Sequence, residues 1–299
     1  PCSSPPPTSY PNSSPITVKS MDANYLYQQI RKKQSFLCIG LDTDVRKIPL
    51  SLAGKLDPIY EFNKAIIDAT ADLCVAYKPN MAFYEVHGAR GWESLAHTVQ
   101  YLREHHPDIL IIADAKRGDI SNTAAMYAQS MFEAMDFDAV TIAPYMGRDA
   151  IQPFLEYANR WVVLLAVTSN ESYNDFQTLP VEGKEGVHRK LFEEVLERSK
   201  HWGHEGNMMY VVGATHAEML TQVRAIVPEH FLLIPGVGHQ GGSLEEVVKY
   251  GMNRRCGLLV NSSRGILYAD NGIKFATAAR QKAQELQLQM AQHLETLPK

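Results

Sequence analysis

Eight short apolar runs, each of strand length, recur along the chain and alternate with segments of helical periodicity. The runs cover residues 36–41, 73–77, 109–113, 139–143, 161–167, 208–212, 231–234 and 257–260. The helical segments are 58–71, 91–105, 121–135, 148–158, 185–202, 216–226, 243–250 and 273–295, preceded by a short helix over 24–33. Alternating strands and helices pair in parallel through right-handed crossovers, and eight units in about 260 residues favour a closed (β/α)8 TIM barrel over a doubly wound sheet.

The chain divides into a short leader of unusual composition and one predicted domain. Residues 1–20 contain six of the sixteen prolines and six serines, without the charged and apolar regions of a signal peptide. We expect this segment to be a disordered leader or an expression remnant, with Met21 as the natural start. Residues 21–299 contain no linker-like stretch and are predicted to form a single α/β domain.

Charge and cysteine usage narrow the class of protein. The net charge is −4, which argues against a general binder of nucleic acid or of an anionic membrane surface. Of the four cysteines, Cys38, Cys74 and Cys256 lie in or beside apolar runs, and no pair forms C-x-x-C. The sequence therefore predicts buried free thiols in a reducing compartment, and we expect a cytoplasmic protein.

Polar and ionisable residues follow six of the eight predicted strands. They are Asp42, Lys78, Asp114 with Lys116, residues 168–170, residues 235–238 and residues 261–265. The carboxyl ends of the strands share one face of a barrel, and that face carries the active site in barrel enzymes. Scattered loop charges would not concentrate at one end of the strands, so we expect these residues to form a site.

The third strand leads into an alternating set of charges, Asp114, Lys116 and Asp119. Together with Lys78, they can form a network in which each group changes the proton affinity of its neighbours. A lysine flanked by carboxylates is favoured as an ammonium, which suits a proton donor better than a Schiff-base nucleophile. Alternatively, these residues form a solvent-exposed turn, and their D-x-K-x-x-D spacing arises by chance.

Two further segments have the features of a phosphate site. Residues 236–242 form a glycine-rich loop before a predicted helix, and Ser243 begins the capping-box sequence of that helix. Arg264 and Gly265 follow the eighth strand, and phosphate commonly binds after strands seven and eight of barrels. Alternatively, the glycines of the first segment only allow the chain to turn and bind no phosphate.

The run Asp114-Ala-Lys116-Arg-Gly-Asp119-Ile-Ser-Asn-Thr123 closely resembles the D-x-K-x-x-D-I-x-x-T signature of the orotidine 5'-phosphate decarboxylase family. The resemblance extends over residues 36–268, and residues 82–85 and 165–170 are similar to the longer, second-type bacterial branch. It implies a TIM-barrel enzyme that decarboxylates orotidine 5'-monophosphate to UMP and CO2, the last step of de novo pyrimidine synthesis. The family uses no metal and no organic cofactor.

The resemblance also implies a role for each matching residue. Asp114 would lie against the substrate carboxylate, and Lys116 would stabilise and protonate the carbanion at pyrimidine C6. Lys78 would hold the network and a ribose hydroxyl. Asp42 would bind the ribose, Ser169 would contact the pyrimidine, and Pro235 would lie in the substrate-binding loop after strand seven. Gln240 and Arg264 would bind the phosphate, with Gly265 beside them. The resemblance also implies a homodimer in which Asp119 and Thr123 reach into the partner's site.

Two other functions remain open from the residues. The first is a sugar-phosphate decarboxylase or aldolase of the 3-keto-gulonate 6-phosphate type, which shares D-x-K-x-x-D and uses Mg2+ to stabilise an enediolate. The second is a catalytically idle barrel that only binds nucleotide. The sequence departs from the family pattern around the arginine expected to bind phosphate. Many members have Gly before this arginine and Ser after it, whereas here Ser263 precedes Arg264 and Gly265 follows it.

Overall fold

The computed structural model describes residues 21–183, 186–237 and 241–298, and eight of its strands close into a parallel barrel. The expectation for residues 1–20 lies outside the described residues. The strands are β1 Leu37–Leu41, β2 Ala76–Pro79, β3 Leu110–Arg117, β4 Ala139–Ile142, β5 Trp161–Val167, β6 Pro180–Glu182, β7 His188–Lys190, β8 Met208–Val212, β9 Phe231–Pro235 and β10 Leu258–Ser262. Around the barrel the order is β1, β2, β3, β4, β5, β8, β9 and β10, so the predicted TIM barrel is confirmed.

Helices connect successive strands of the barrel and surround it. They are α1 Ala23–Lys33, α2 Pro58–Thr70, α3 Ala82–Glu85, α4 Ala89–His105, α5 Ser121–Gln129, α6 Gln152–Leu155, α7 Leu191–Ser199, α8 Leu220–Ile226, α9 Leu244–Gly251, α10 Arg264–Leu267 and α11 Phe275–Leu294. At the starts of α1, α2 and α9, a side chain accepts a hydrogen bond from one of the first N–H groups of the helix. Ser243, for example, accepts from the Glu246 N–H at 3.3 Å, as its capping-box spacing predicts.

The core is the barrel interior together with the layer between strands and helices. β1, β8 and β10 are buried along their whole length, and the largest fully buried side chains include Trp161 and Tyr77. Cys38, Cys74 and Cys256 are buried free thiols, as predicted. No helix among the described residues is long and apolar enough to cross a membrane.

Several strand boundaries differ from the predicted ones by one to four residues, and the differences in β2 and β3 involve the charged residues of the site. β2 begins three residues later than its apolar run and contains Lys78, which pairs with Gly40 of β1. β3 continues through Asp114 and Lys116 to Arg117 because Arg117 re-enters the ladder opposite Ile142. The three charged residues therefore lie on strands rather than in the loops after them.

A small antiparallel hairpin, β6–β7, interrupts the region where a helix was expected over 185–202. β6 pairs with β7 from Pro180↔Lys190 to Glu182↔His188. The helix α7 therefore begins at Leu191, and the prediction that it starts at residue 185 was wrong.

Candidate active site

A cavity of about 550 Å³ opens at the carboxyl ends of the barrel strands. Seven of the residues predicted from the sequence line it: Asp42, Lys78, Asp114, Lys116, Ser169, Pro235 and Arg264. They come from β1, β2, β3, β5, β9 and β10 or from the turns that follow these strands. The barrel thus brings together residues that are more than two hundred positions apart in sequence.

The carboxylate of Asp114 is the centre of a charged cluster in this cavity. Lys78 Nζ donates to its Oδ2 at 2.7 Å, and Lys116 Nζ donates to its Oδ1 at 2.5 Å. The Thr141 hydroxyl donates to Oδ1 at 3.2 Å. Both oxygens of the carboxylate are therefore held, and two ammonium groups are fixed on either side of it.

Burial differs sharply between the two lysines. The Lys78 side chain is 5% exposed, whereas that of Lys116 is 52% exposed. Burial by itself would lower the pKa of Lys78, but the carboxylates of Asp114 and Asp42 outweigh it and raise that pKa above the ordinary value. Lys78 is consequently a permanent cation, and Lys116 is the ammonium that solvent and ligand can reach.

The pKa of Asp114 is shifted in the opposite direction. Burial would raise this pKa, but Lys78 and Lys116 together hold it well below the usual value. Asp114 is therefore an anion throughout the physiological range. The cluster has fixed charges that need no rearrangement, which is the condition for electrostatic stabilisation of a developing charge.

Lys116 owes its position to an irregularity in β3. Its φ is +47°, in the left-handed region that residues with side chains seldom adopt, and the register between β3 and β4 shifts between Ala113 and Arg117. Irregularities of this kind are common beside active sites because they redirect side chains. Here the irregularity puts both Asp114 and Lys116 on the cavity wall.

Asp42, just after β1, has a carboxylate oxygen that could accept a further hydrogen bond. Its Oδ1 is buried and has no hydrogen-bond partner among the described residues. The Tyr268 hydroxyl fixes the backbone of this turn, since it donates to the Asp42 carbonyl and accepts from the Asp44 N–H, both at 2.8 Å. A buried acceptor without a partner is costly, so this oxygen is suited to a hydroxyl of a ligand.

Close packing against Gly213 fixes the turn that contains Ser169. A Cβ at position 213 would lie 2.9 Å from the Ser169 backbone, so this approach requires glycine. The adjacent Thr168 is held by Gln177, whose Oε1 accepts from the Thr168 N–H at 2.8 Å and whose Nε2 donates to the Thr168 hydroxyl at 2.7 Å.

The phosphate residues predicted from the sequence are only partly described. Arg264 lines the cavity at the start of α10, but Gly265 does not line it, and Gln240 lies outside the described residues. β1 and the turn before α10 are in close contact, because a Cβ at Gly40 would lie 1.9 Å from Ser263 Oγ.

Asp119 and Thr123 are not among the residues that line this cavity. Asp119 Oδ1 accepts from the Ile120 N–H at 2.7 Å, and Thr123 is exposed in the first turn of α5. The chain therefore does not bring these two residues to its own charged cluster.

Comparisons with known proteins agree with one another about the family. The orotidine 5'-phosphate decarboxylase / HUMPS family matches residues 35–279. Orotidine 5'-phosphate decarboxylase of Bacteroides fragilis is 57% identical over 277 residues, covering 93% of this chain and 100% of that protein. The protein of the same name from Phocaeicola vulgatus is 58% identical over 270 residues, covering 90% of this chain and 98% of that protein. The chain belongs to the orotidine 5'-phosphate decarboxylase family.

Solved structures show the same relationship. OMP decarboxylase of Leishmania donovani superposes with a TM-score of 0.74 at 36% identity, covering 90% of this chain and 99% of that one. UMP synthase of Leishmania donovani gives a TM-score of 0.75 at 37% identity, and the match covers 88% of this chain and 56% of the synthase chain. The resemblance predicted from the decarboxylase signature and the expected enzyme class are confirmed.

Sequence reasoning missed several residues that line the cavity of this decarboxylase-family chain. They are Asp44, Arg46, Lys47, Asn80, Phe83, Thr141 and Tyr268. Thr141 is a polar residue inside an apolar run, and that was an available signal. Among the described residues, no group of three His, Cys, Asp or Glu side chains is arranged to hold a metal ion.

Proposed function

We propose that this chain converts orotidine 5'-monophosphate to UMP and CO2, the last step of de novo pyrimidine synthesis, without a metal or an organic cofactor. The observation that carries the proposal is the hydrogen-bonded array Lys78–Asp114–Lys116 in the cavity at the carboxyl ends of the strands. Family membership and relatives named for this reaction support it.

The substrate has a phosphate, a ribose and a pyrimidine carboxylate, and the site offers a partner for each. Arg264 would bind the phosphate together with Gln240, with Gly265 beside them, because a guanidinium matches phosphate oxygens with a charge-assisted fork. Asp42 and Lys78 would hold ribose hydroxyls, and the unused Asp42 Oδ1 supports this role. Ser169 and Pro235 would contact the pyrimidine.

The chemistry we propose is direct. The bond between C6 and the carboxylate carbon breaks, CO2 leaves, and the electron pair remains on C6. The Lys116 ammonium stabilises this carbanion and then transfers a proton to C6, which gives UMP and a neutral amine that regains a proton from solvent. The 52% exposure of Lys116 is consistent with that last step.

Fixed charge supplies the stabilisation in this scheme. Asp114, held anionic by its two lysines, would repel the substrate carboxylate, and this repulsion would disappear as neutral CO2 departs. Each 1.36 kcal/mol removed from the barrier gives about a tenfold faster reaction, so a large acceleration requires several such contributions. Phosphate binding far from C6 can contribute energy for closing the site against water.

We further propose a homodimer in which Asp119 and Thr123 complete the partner's site. Their position away from the cavity of their own chain supports this arrangement. The three buried free thiols support a reducing compartment, and we propose the cytoplasm.

The deciding experiment follows the ultraviolet absorbance of orotidine 5'-monophosphate with purified protein, in the presence and absence of EDTA. Loss of absorbance at the same rate in both, with UMP as product, is the expected result. No turnover, combined with Mg2+-dependent turnover of a 3-keto sugar phosphate, would assign the chain to the other branch of the family. Tight UMP binding with no turnover of either substrate would indicate an idle barrel.

A further inference from the structure

We infer that Thr141 on β4 is a positioning residue that sets the geometry of both Asp114 and Lys116. The inference rests on the proposed decarboxylation and deepens it, because it identifies what holds the reacting lysine in place. Thr141 is 1% exposed and lines the cavity, and its hydroxyl contacts both residues.

The register of β3 and β4 puts Thr141 in a special position. Ala113 pairs with Val140 and Arg117 pairs with Ile142, so three residues of β3 stand opposite the single residue Thr141. The bulge therefore contains Asp114 and Lys116, and the only residue of β4 opposite it is Thr141. Such a bulge leaves backbone groups without their regular ladder partners, and each needs another partner when it is buried.

The Thr141 hydroxyl provides that partner. The Lys116 N–H donates to Thr141 Oγ1 at 2.9 Å, which ties the backbone of the left-handed residue to β4. A hydroxyl has one proton to donate, and here it can reach Asp114 Oδ1 at 3.2 Å or the Ala113 carbonyl at 3.5 Å. The ionised carboxylate is the closer and stronger acceptor.

One oxygen atom thus links the backbone of Lys116 to the side chain of Asp114. Lys116 Nζ in turn bonds Asp114 Oδ1, so Thr141 closes a ring of contacts around the reacting ammonium. Without the hydroxyl, the strained φ at Lys116 loses its support and Asp114 loses one of its three hydrogen-bond donors. The ammonium would then be free to move away from the position that C6 requires.

The test compares Thr141→Val, which keeps the shape of the side chain and removes the hydroxyl, with Thr141→Ser, which keeps the hydroxyl. We expect Thr141→Val to lower the single-turnover rate by about tenfold to a hundredfold, because small misplacements of a catalytic group have effects of this size. The Kd for UMP should be nearly unchanged, since the phosphate and ribose contacts remain. Thr141→Ser should recover most of the rate.

Thr70→Val is the matched control. Thr70 is also fully buried, and its hydroxyl contacts the Ile66 carbonyl and the Tyr77 hydroxyl, both at 2.7 Å. None of these three residues lines the cavity. This variant should leave the single-turnover rate unchanged.

Three results would overturn the inference: a wild-type rate for Thr141→Val, equal losses in Thr141→Val and Thr141→Ser, or a Kd for UMP that weakens as much as the rate falls. If Thr141→Val does not fold, Thr141→Ala, which removes the hydroxyl without adding a methyl group, is measured in the same way. Failure of the wild-type protein to turn over orotidine 5'-monophosphate would instead overturn the proposed function itself.

Discussion

Replacement of Asp114 by asparagine removes one charge from a buried ion pair while preserving the shape of the side chain. The Lys78 and Asp114 side chains are 5% and 10% exposed, and their charged atoms are 2.7 Å apart. Loss of one partner from a buried pair costs about 3–5 kcal/mol, because it leaves the other charge uncompensated. We expect Asp114→Asn to lower the free energy of unfolding by about 3 kcal/mol, at the lower end because Asp42 remains near Lys78.

The same variant should acquire a new pH dependence. In the wild type, carboxylates raise the pKa of Lys78, so its contribution to stability is complete below the ordinary lysine value and is lost only as pH rises through the folded value. In Asp114→Asn, burial dominates and the pKa of Lys78 falls below about 10.4. The unfolded chain then binds more protons than the folded one, and stability rises from neutral pH toward that value.

Urea unfolding at neutral and alkaline pH measures both effects. Lys78→Met and the double variant Lys78→Met/Asp114→Asn complete a mutant cycle, and the double variant should be more stable than the sum of the single losses predicts, because it buries no uncompensated charge. Glu285→Gln is the control, since the Lys282–Glu285 pair at 2.8 Å is more than half exposed on both sides and should contribute less than about 1 kcal/mol. A loss below about 1 kcal/mol in Asp114→Asn, or strict additivity in the cycle, would refute this reasoning.

Three further outcomes are expected. Lys116→Ala should fold and bind UMP but lose nearly all turnover, and activity within about tenfold of wild type would exclude Lys116 as the proton donor. Mixing inactive Lys116→Ala with inactive Asp119→Ala should restore some activity by subunit exchange, whereas no recovery after verified exchange would contradict the shared site. The buried ring of His230 has no partner for either nitrogen among the described residues, and burial lowers its pKa to about 4. Its folded pKa is below the unfolded value, so the wild type should lose about 2 kcal/mol of stability between about pH 7 and about pH 5, and His230→Phe should lose less in urea titrations at these two pH values. Parallel losses in the two proteins would contradict this assignment.

Hydrophobic periodicity was enough to predict the barrel because strands in a closed parallel sheet are buried on both faces. The runs 161–167 and 208–212 coincide with β5 and β8. β2 differs because Leu73 is buried in the turn after α2, before the ladder begins at Ala76. An apolar run in the sequence predicts which residues are buried, but the residue at which a strand begins depends on hydrogen bonds to the neighbouring strand.

The hairpin β6–β7 could not be predicted for a related reason. None of its strand residues is buried, and it contains no apolar run. Backbone hydrogen bonds such as Gly183 N–H to the Val187 carbonyl at 2.8 Å hold it together.

The identities of the charged residues were predictable, but the way they are held was not. The spacing of Asp114 and Lys116 on β3 pointed to a charged cluster, and Lys78 was predicted to join it. The left-handed φ of Lys116 depends on a register shift against β4, which lies more than twenty residues further along the chain. No local pattern around Lys116 encodes that shift.

The two ends of the barrel use charge in different ways, and this contrast supports a site at the carboxyl end. At the amino end, Arg224 donates to the carbonyls of Gly251, His230 and Gly257 at 2.6 to 2.8 Å, and Asp138 accepts from the Ile111 N–H at 2.8 Å. Both charged side chains are thus bonded to the backbone of the fold itself. At the carboxyl end, Asp42 retains a buried oxygen without a partner among the described residues, and Lys116 is half exposed although its backbone is strained. An unpartnered buried acceptor and an exposed ammonium that line the same open cavity suit this end of the barrel to a ligand.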